Sequence, residues 1–133
     1  QYDRVLFLNV MEHIFNFQHI ATEVLRITKP EGKLIGFVPF LMWYHPDHSD
    51  YFRYTHEALE KIFTDAGAKE IAIEAIGGGP FVAAAQMMIL SIPFRWLRVL
   101  LFVKLYGLDV LYKKIKKSNA KTYALGYYFV VKC

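Results

Sequence analysis

The apolar positions come in blocks whose spacing changes along the chain. "RVLFLNV" (Arg4–Val10) is almost continuously apolar and rich in branched and aromatic residues, the pattern of a strand covered on both faces of a parallel sheet. In "NFQHIATEVLRI" (Asn16–Ile27) the residues Phe17, Ile20, Ala21, Val24 and Leu25 fall on one helical face. Asn16 is placed to cap that helix, and Pro30 and Gly32 to stop it. "KLIGFV" (Lys33–Val38) reads as a second buried strand, ended by Pro39. Thr55 opens a helix that buries Leu59, Ile62, Phe63 and Ala66 and closes at Gly67. "KEIAIEAI" (Lys69–Ile76) alternates as a strand with one partly polar face. From Phe81 to Tyr112 the spacing is helical and very apolar, with a break at Pro93. "TYALGYYFVVK" (Thr122–Lys132) is the last strand.

The order is β-α-β-α-β-(αα)-β, which predicts an α/β sheet with helices on its faces and a single domain over 1–133. The extra helical insertion covers about 80–116. Ligands of such sheets bind outside the carboxyl ends of the strands. That rule gives meaning to "LNVMEHIF" (Leu8–Phe15), where Asn9, Glu12 and His13 crowd the end of the first apolar run.

The 133 residues suffice for one modest core, and a hydrophobic fraction of 55% excludes a disordered tail. The formal net charge of +4 is too weak to argue for a nucleic-acid partner. The one cysteine, Cys133, allows no disulfide within the chain and points to a reducing, cytoplasmic setting. The sequence begins without Met on strand-like residues and carries no signal-peptide pattern, so an N-terminal part is expected to be absent.

Three segments together resemble the C-terminal half of a class I S-adenosylmethionine-dependent methyltransferase, most similar to the methyltransferase type 11 family. They are "YDRVLFLNVMEHI", "ITKPEGKLIGFVP" and "HSDYFRYTHEALEKIFTDAGAKEIAIEAI". The aromatic–Asp pair that opens the family's fourth strand is Tyr2-Asp3 here, and the Glu–His pair that follows it is Glu12-His13. The family's Leu-Lys-Pro-Gly-Gly turn reads Thr28-Lys29-Pro30-Glu31-Gly32, with Glu31 in place of one glycine. The resemblance implies a partial Rossmann-like sheet with strands ordered 4, 5, 7, 6 and strand 7 antiparallel. It implies S-adenosyl-L-methionine as cofactor, with most of that site in absent N-terminal sequence. Leu8 and Asn9 would lie beside the cofactor, and Glu12 and His13 would face the acceptor. Without strand 1 beside it, the opening strand exposes an edge of unpaired backbone groups. The chain alone is then expected to be inactive.

Methyl transfer is an in-line displacement, and a hydroxyl acceptor must also lose a proton. His13 is the candidate general base, since imidazole titrates near neutrality; the competing reading is a Glu12–His13 pair that only orders the turn. In "PFLMWYHPDHSDYFRYT" (Pro39–Thr55), Trp43, Tyr44, Tyr51 and Phe52 could form a lid that excludes water. Tyr44, His45, His48, Tyr51 and Arg53 are the candidate substrate-binding residues, with Arg53 alternatively pinned by Asp50. No metal is expected. Pro46 stiffens the run of His45, Asp47, His48 and Asp50, and Asn9 stands where some relatives add a carboxylate that a hard cation wants.

The expected function is methylation of a small or lipid-linked acceptor, oxygen favoured. The competing reading is a non-catalytic module of the same fold that docks to a membrane or a protein partner, and a nucleotide-binding domain of other chemistry is a third. The helices of 81–117 are read three ways: as core, as a cap or homodimer contact, or as a peripheral contact with the inner membrane face through Trp96 and the cluster Lys113, Lys114, Lys116 and Lys117.

Overall fold

The computed structural model describes residues 1–116 and 120–133, so Lys117 of the lysine cluster lies outside the described residues. Strand β1 is Tyr2–Leu8, helix α1 Phe17–Ile27, β2 Thr28–Pro39, α2 His56–Asp65 and β3 Glu70–Ile76. Helices α3 (Pro80–Met88) and α4 (Arg95–Ile115) follow, and β4 is Gly126–Lys132. A short 3-10 turn, Met11–His13, joins β1 to α1. The expected alternation is present, with the helical insertion between the third and fourth strands.

The four strands form one sheet in the order β1-β2-β4-β3. β1 and β2 are parallel, with Val5 opposite Leu34 and Phe7 opposite Gly36. The N–H of Lys69 bonds to Lys132 O at one end of β3, and that of Leu125 bonds to Ile76 O at the other. β4 therefore runs antiparallel to β3. The N–H of Leu41 bonds to Leu125 O, while Gly36 faces the Phe129 ring, so β4 is antiparallel to β2 as well. This is the mixed sheet expected, with its last strand reversed.

Four details differ from the sequence reading. The last strand begins at Gly126 and not at Thr122, because Ala120–Tyr123 form a 3-10 turn. The opening apolar run was expected to be covered on both faces, yet Tyr2, Leu6 and Leu8 are exposed and Phe7 alone is buried in β1. β1 is an edge strand in this sheet, with β2 as its single bonded neighbour. The first helix ends before Pro30 and Gly32: Thr28 is already extended, and its hydroxyl donates to Val24 O at 2.7 Å. Pro30 to Gly32 instead sit in an irregularity of β2, where the register moves from Tyr2↔Thr28 to Arg4↔Lys33. Glu31 takes φ 67 there, a left-handed conformation that suits the glycine its motif carries at this place. Lastly, Ile62 and Ala66 are half-buried on α2, whereas Leu59 and Phe63 are fully buried.

The chain forms two compact units. The first contains Gln1–Phe40, Tyr44–Glu74 and Tyr127–Cys133. Its core gathers Leu34 and Val38 of β2, Leu59 and Phe63 of α2, and Phe129 and Val131 of β4, all fully buried. The Phe63 and Phe129 rings lie 5.1 Å apart. Side chains of Asn16 and Thr55 cap the two helices, accepting from the N–H of His19 and of Ala58. The second unit contains Leu41–Trp43 and Ala75–Gly126. Within it the carboxylate of Asp109, the buried residue of α4, accepts from the N–H of Phe81 at 3.1 Å and of Val82 at 2.8 Å. The glycines before α3 make room for this clasp: a Cβ on Gly79, which has φ 155, would stand 2.5 Å from Asp109 Oδ1.

Candidate functional site

β1 delivers the chain to the carboxyl end of the parallel pair. Asn9, at φ 51, turns it away while its N–H still bonds to Phe37 O at 3.0 Å. Few residue types other than glycine take this backbone conformation as readily as Asn. The 3-10 turn that follows rolls Met11 and Glu12 into the interior, both 0% exposed. Besides the His13 ring, two bonds tie the turn to the loop before α2. Tyr54 donates its hydroxyl to Met11 O at 3.2 Å, and the N–H of Tyr51 bonds to Glu12 O at 2.9 Å. Aromatic contacts fasten the same two segments, with Phe15 against Tyr51 and Phe52, and Phe17 against Phe52 and Tyr54.

The result is a polar cluster inside an aromatic frame. His13 directs Nδ1 to the carbonyl oxygen of Ser49, and as a donor to that carbonyl the ring carries its lone pair on Nε2. Nε2 lies 3.7 Å from Glu12 Oε1. The His45 ring stands edge-on to His13, centroids 5.2 Å apart. One donor atom from each of Glu12, His13 and His45 falls within 4.8 Å of the other two. Behind His45, Asp50 accepts from the His45 N–H at 3.0 Å and from both terminal nitrogens of Arg53, at 2.5 and 2.6 Å.

Burial sets the charges here. Loss of solvent pushes the Glu12 carboxyl up, opposed by its own backbone N–H and by the charges of His13, His45 and Arg53. Hydrogen bonds from Arg53 hold Asp50 well below the usual carboxylate range, and Asp50 in turn raises Arg53. Burial also raises the Tyr54 phenol, helped by the nearby Glu12 charge.

Of the residues singled out in the sequence, Glu12, His13 and His45 come together, with Arg53 paired to Asp50 beside them. Leu8 and Asn9 lie exposed at the end of β1. Tyr44, Tyr51 and His48 are exposed on the loop, His48 with φ 75. Sequence reasoning missed the Ser49 carbonyl, because a backbone acceptor leaves no trace in residue type. It also missed Tyr54 as the bolt on Met11, which the aromatic run "DYFRYT" hinted at without singling out. A cavity of about 470 Å³ lies between α1 and α2, lined by residues such as Phe17, Thr22, Lys61 and Ile62. It holds none of the polar cluster, whose chemistry makes it the better candidate.

No family model matches the chain, and no curated protein matches it. Solved structures do. The phosphoethanolamine N-methyltransferase 2 of Haemonchus contortus, in complex with S-adenosyl-L-methionine, is similar at a TM-score of 0.56 and 16% identity, over 98% of this chain and 33% of that one. A SAM-dependent methyltransferase from Archaeoglobus fulgidus gives 0.57 at 12% identity, over 98% and 59%. The cyclase SpnF gives 0.55 at 13%, over 98% and 50%. The chain thus spans between a third and three-fifths of the length of these structures. Since a cyclase stands among the neighbours, the likeness carries the fold and leaves the reaction to be argued from the site. What the comparisons establish is that this stretch of chain has the α/β fold found in S-adenosylmethionine-dependent methyltransferases.

Proposed function

We propose that the protein to which this chain belongs is an S-adenosylmethionine-dependent methyltransferase of a small or lipid-linked acceptor, with oxygen as the favoured nucleophile. The observation that carries the reading is the pair formed by buried Glu12 and half-buried His13 immediately past the carboxyl end of β1, on a fold whose solved neighbours include methyltransferases with the cofactor bound. In the proposed reaction the acceptor oxygen attacks the sulfonium methyl in line. The C–S bond breaks, its electrons return to sulfur, and the hydroxyl proton passes to His13 Nε2. The Ser49 carbonyl holds the ring in the tautomer that leaves Nε2 as acceptor, and Glu12 Oε1 at 3.7 Å stabilises the imidazolium that forms. Leu8 and Asn9 are proposed on the cofactor side. Tyr44, His45, His48, Tyr51 and Arg53 are proposed on the acceptor side, with Arg53 oriented by Asp50.

Calorimetric titration of the full-length protein with S-adenosylhomocysteine tests the first half of this reading. Binding near one equivalent is expected; a folded protein that gives no heat favours a docking module of the same fold. The second half is tested by S-adenosylhomocysteine release across a panel of hydroxyl and amine acceptors. His13→Asn is expected to slow turnover by about 10²–10⁴-fold with cofactor affinity retained.

One observation favours a place of action. Trp96, Val99, Val103, Leu111 and Ile115 of α4 are exposed, and Lys113 and Lys114 lie in its last turn with Lys116 following. Among the described residues no helix is long and apolar enough to cross a membrane. Apolar side chains beside clustered cations suit the surface of an anionic bilayer, and we propose peripheral contact there. Co-flotation of the full-length protein with anionic vesicles, lost in neutral ones, is the expected result. No co-flotation retires the idea, and a concentration-dependent dimer would assign the face to a second copy.

A further inference from the structure

The donors around Glu12 are arranged for more than a proton. The carboxylate is fully buried, and among the described residues no other residue donates a hydrogen bond to either oxygen. A buried carboxylate left so is costly unless it takes up a proton or meets a cation. His13 offers Nε2, and its other ring nitrogen meets the Ser49 carbonyl, the outer contact that orients metal-binding imidazoles. His45 completes the set. Its backbone N–H is held by Asp50, and its Nδ1 lies 3.5 Å from Asp50 Oδ2. Donor atoms sharing one ion at bonds of about 2.1 Å stand roughly 3–3.4 Å apart. The three atoms here lie within 4.8 Å of one another, and side-chain rotation is what would bring them onto one ion.

We propose that Glu12, His13 and His45 form a binding site for a divalent first-row transition-metal ion such as Zn(II) or Mn(II). Two imidazoles and one carboxylate suit such ions, whereas Mg(II) prefers oxygen donors throughout. Three protein ligands leave coordination positions open to an exogenous oxygen. The set escapes notice in the sequence because Glu12 and His13 are adjacent, while His45 arrives from beyond β2 with no regular spacing. The inference shares its residues with the proposed acceptor site but rests on their geometry alone. With an ion bound, the His13 Nε2 lone pair is a ligand, and acidification of an acceptor hydroxyl passes from the ring to the ion.

The test uses full-length protein stripped with a chelator and titrated with Zn(II), Mn(II) or Mg(II) in the absence of cofactor. One Zn(II) per chain is expected, with Mg(II) much weaker. His45→Gln and Glu12→Gln are each expected to weaken Zn(II) by at least about 100-fold, whereas His48→Gln retains it. Circular dichroism verifies folding. Should the variants fail to fold, the visible absorption of Co(II)-loaded wild-type protein decides, since nitrogen ligation gives a band that Zn(II) displaces. A folded wild type that takes up no Zn(II), equal binding of Mg(II), affinity unchanged in both variants, or no such Co(II) band would each overturn the proposal. Because no cofactor is present, this failure is separate from failure of the S-adenosylhomocysteine titration.

Discussion

Replacing Asp109 with Ala is expected to unfasten the start of α3. The carboxylate accepts from the N–H of Phe81 at 3.1 Å and of Val82 at 2.8 Å, and it is 1% exposed. Helix α3 begins at Pro80, and no side chain of its N-cap residue Gly79 can serve these donors. Hydrogen bonds to a carboxylate contribute about 1.5–3 kcal/mol each, and a negative group at a helix N-terminus adds roughly 0.3–1 kcal/mol. Removing both acceptors should therefore cost about 3–5 kcal/mol, allowing for some entry of water. Asp109→Asn keeps one carbonyl oxygen and turns an amide toward the second N–H, so about half of that loss is expected. Urea denaturation of the full-length protein measures the total. Hydrogen exchange read by mass spectrometry on the 80–88 peptide measures it locally, and exchange there should accelerate by more than about 100-fold in Asp109→Ala. A loss under about 1 kcal/mol, with exchange at 80–88 unchanged, would refute the reasoning and show that the clasp is no part of α3's stability.

Three further outcomes follow from the packing. Gly36→Ala brings a Cβ to 2.0 Å from the Phe129 ring and should destabilise by about 1–3 kcal/mol in denaturant titration, with part of the loss recovered by adding Phe129→Leu; no loss would mean that the ring is not seated on Gly36. Glu31→Gly relieves the φ of 67 and should stabilise by about 0.5–1 kcal/mol in thermal unfolding, whereas a destabilised variant would contradict the left-handed assignment. Burial raises the Tyr54 phenol above its unfolded value near 10, so its contribution is complete below about pH 10 and is lost above it, at up to about 1.4 kcal/mol per pH unit. Tyr54→Phe should therefore show a shallower alkaline loss of stability than wild type, and parallel pH profiles would count against burial of that hydroxyl.

Much of this architecture was legible because its elements carry the right period. Helix α2 announces itself through Thr55, Leu59 and Phe63, and β2 through its unbroken apolar run. The place of Asn9, Glu12 and His13 just past a strand end was legible. The burial of β1 was not. An apolar run reports what a strand is suited to meet, while its exposure depends on which neighbours share the sheet, and Leu6 and Leu8, paired with β2 on one side, stay exposed here. The third member of the polar cluster was not legible either. His45 stood among His48, Asp47 and Asp50 with equal claim, and its selection depends on how the loop leaves β2 and on the grip of Asp50. The role of Asp109 was not legible, since a cap supplied by a distant helix has no local signature.

The seat of Phe129 on Gly36 also decides how two strands far apart in the chain find one another. β4 is made only after the whole helical unit has been threaded, and many alignments against β2 would satisfy the backbone bonds of an antiparallel ladder. A one-residue slip would set the ring against Ile35 or Phe37 and turn the buried side of β4 outward. A two-residue slip keeps the faces but drives the ring into Leu34 or Val38. The missing side chain at Gly36 thus works as a keyhole that accepts a single alignment, and it lets the sheet tolerate a long detour between its last two strands.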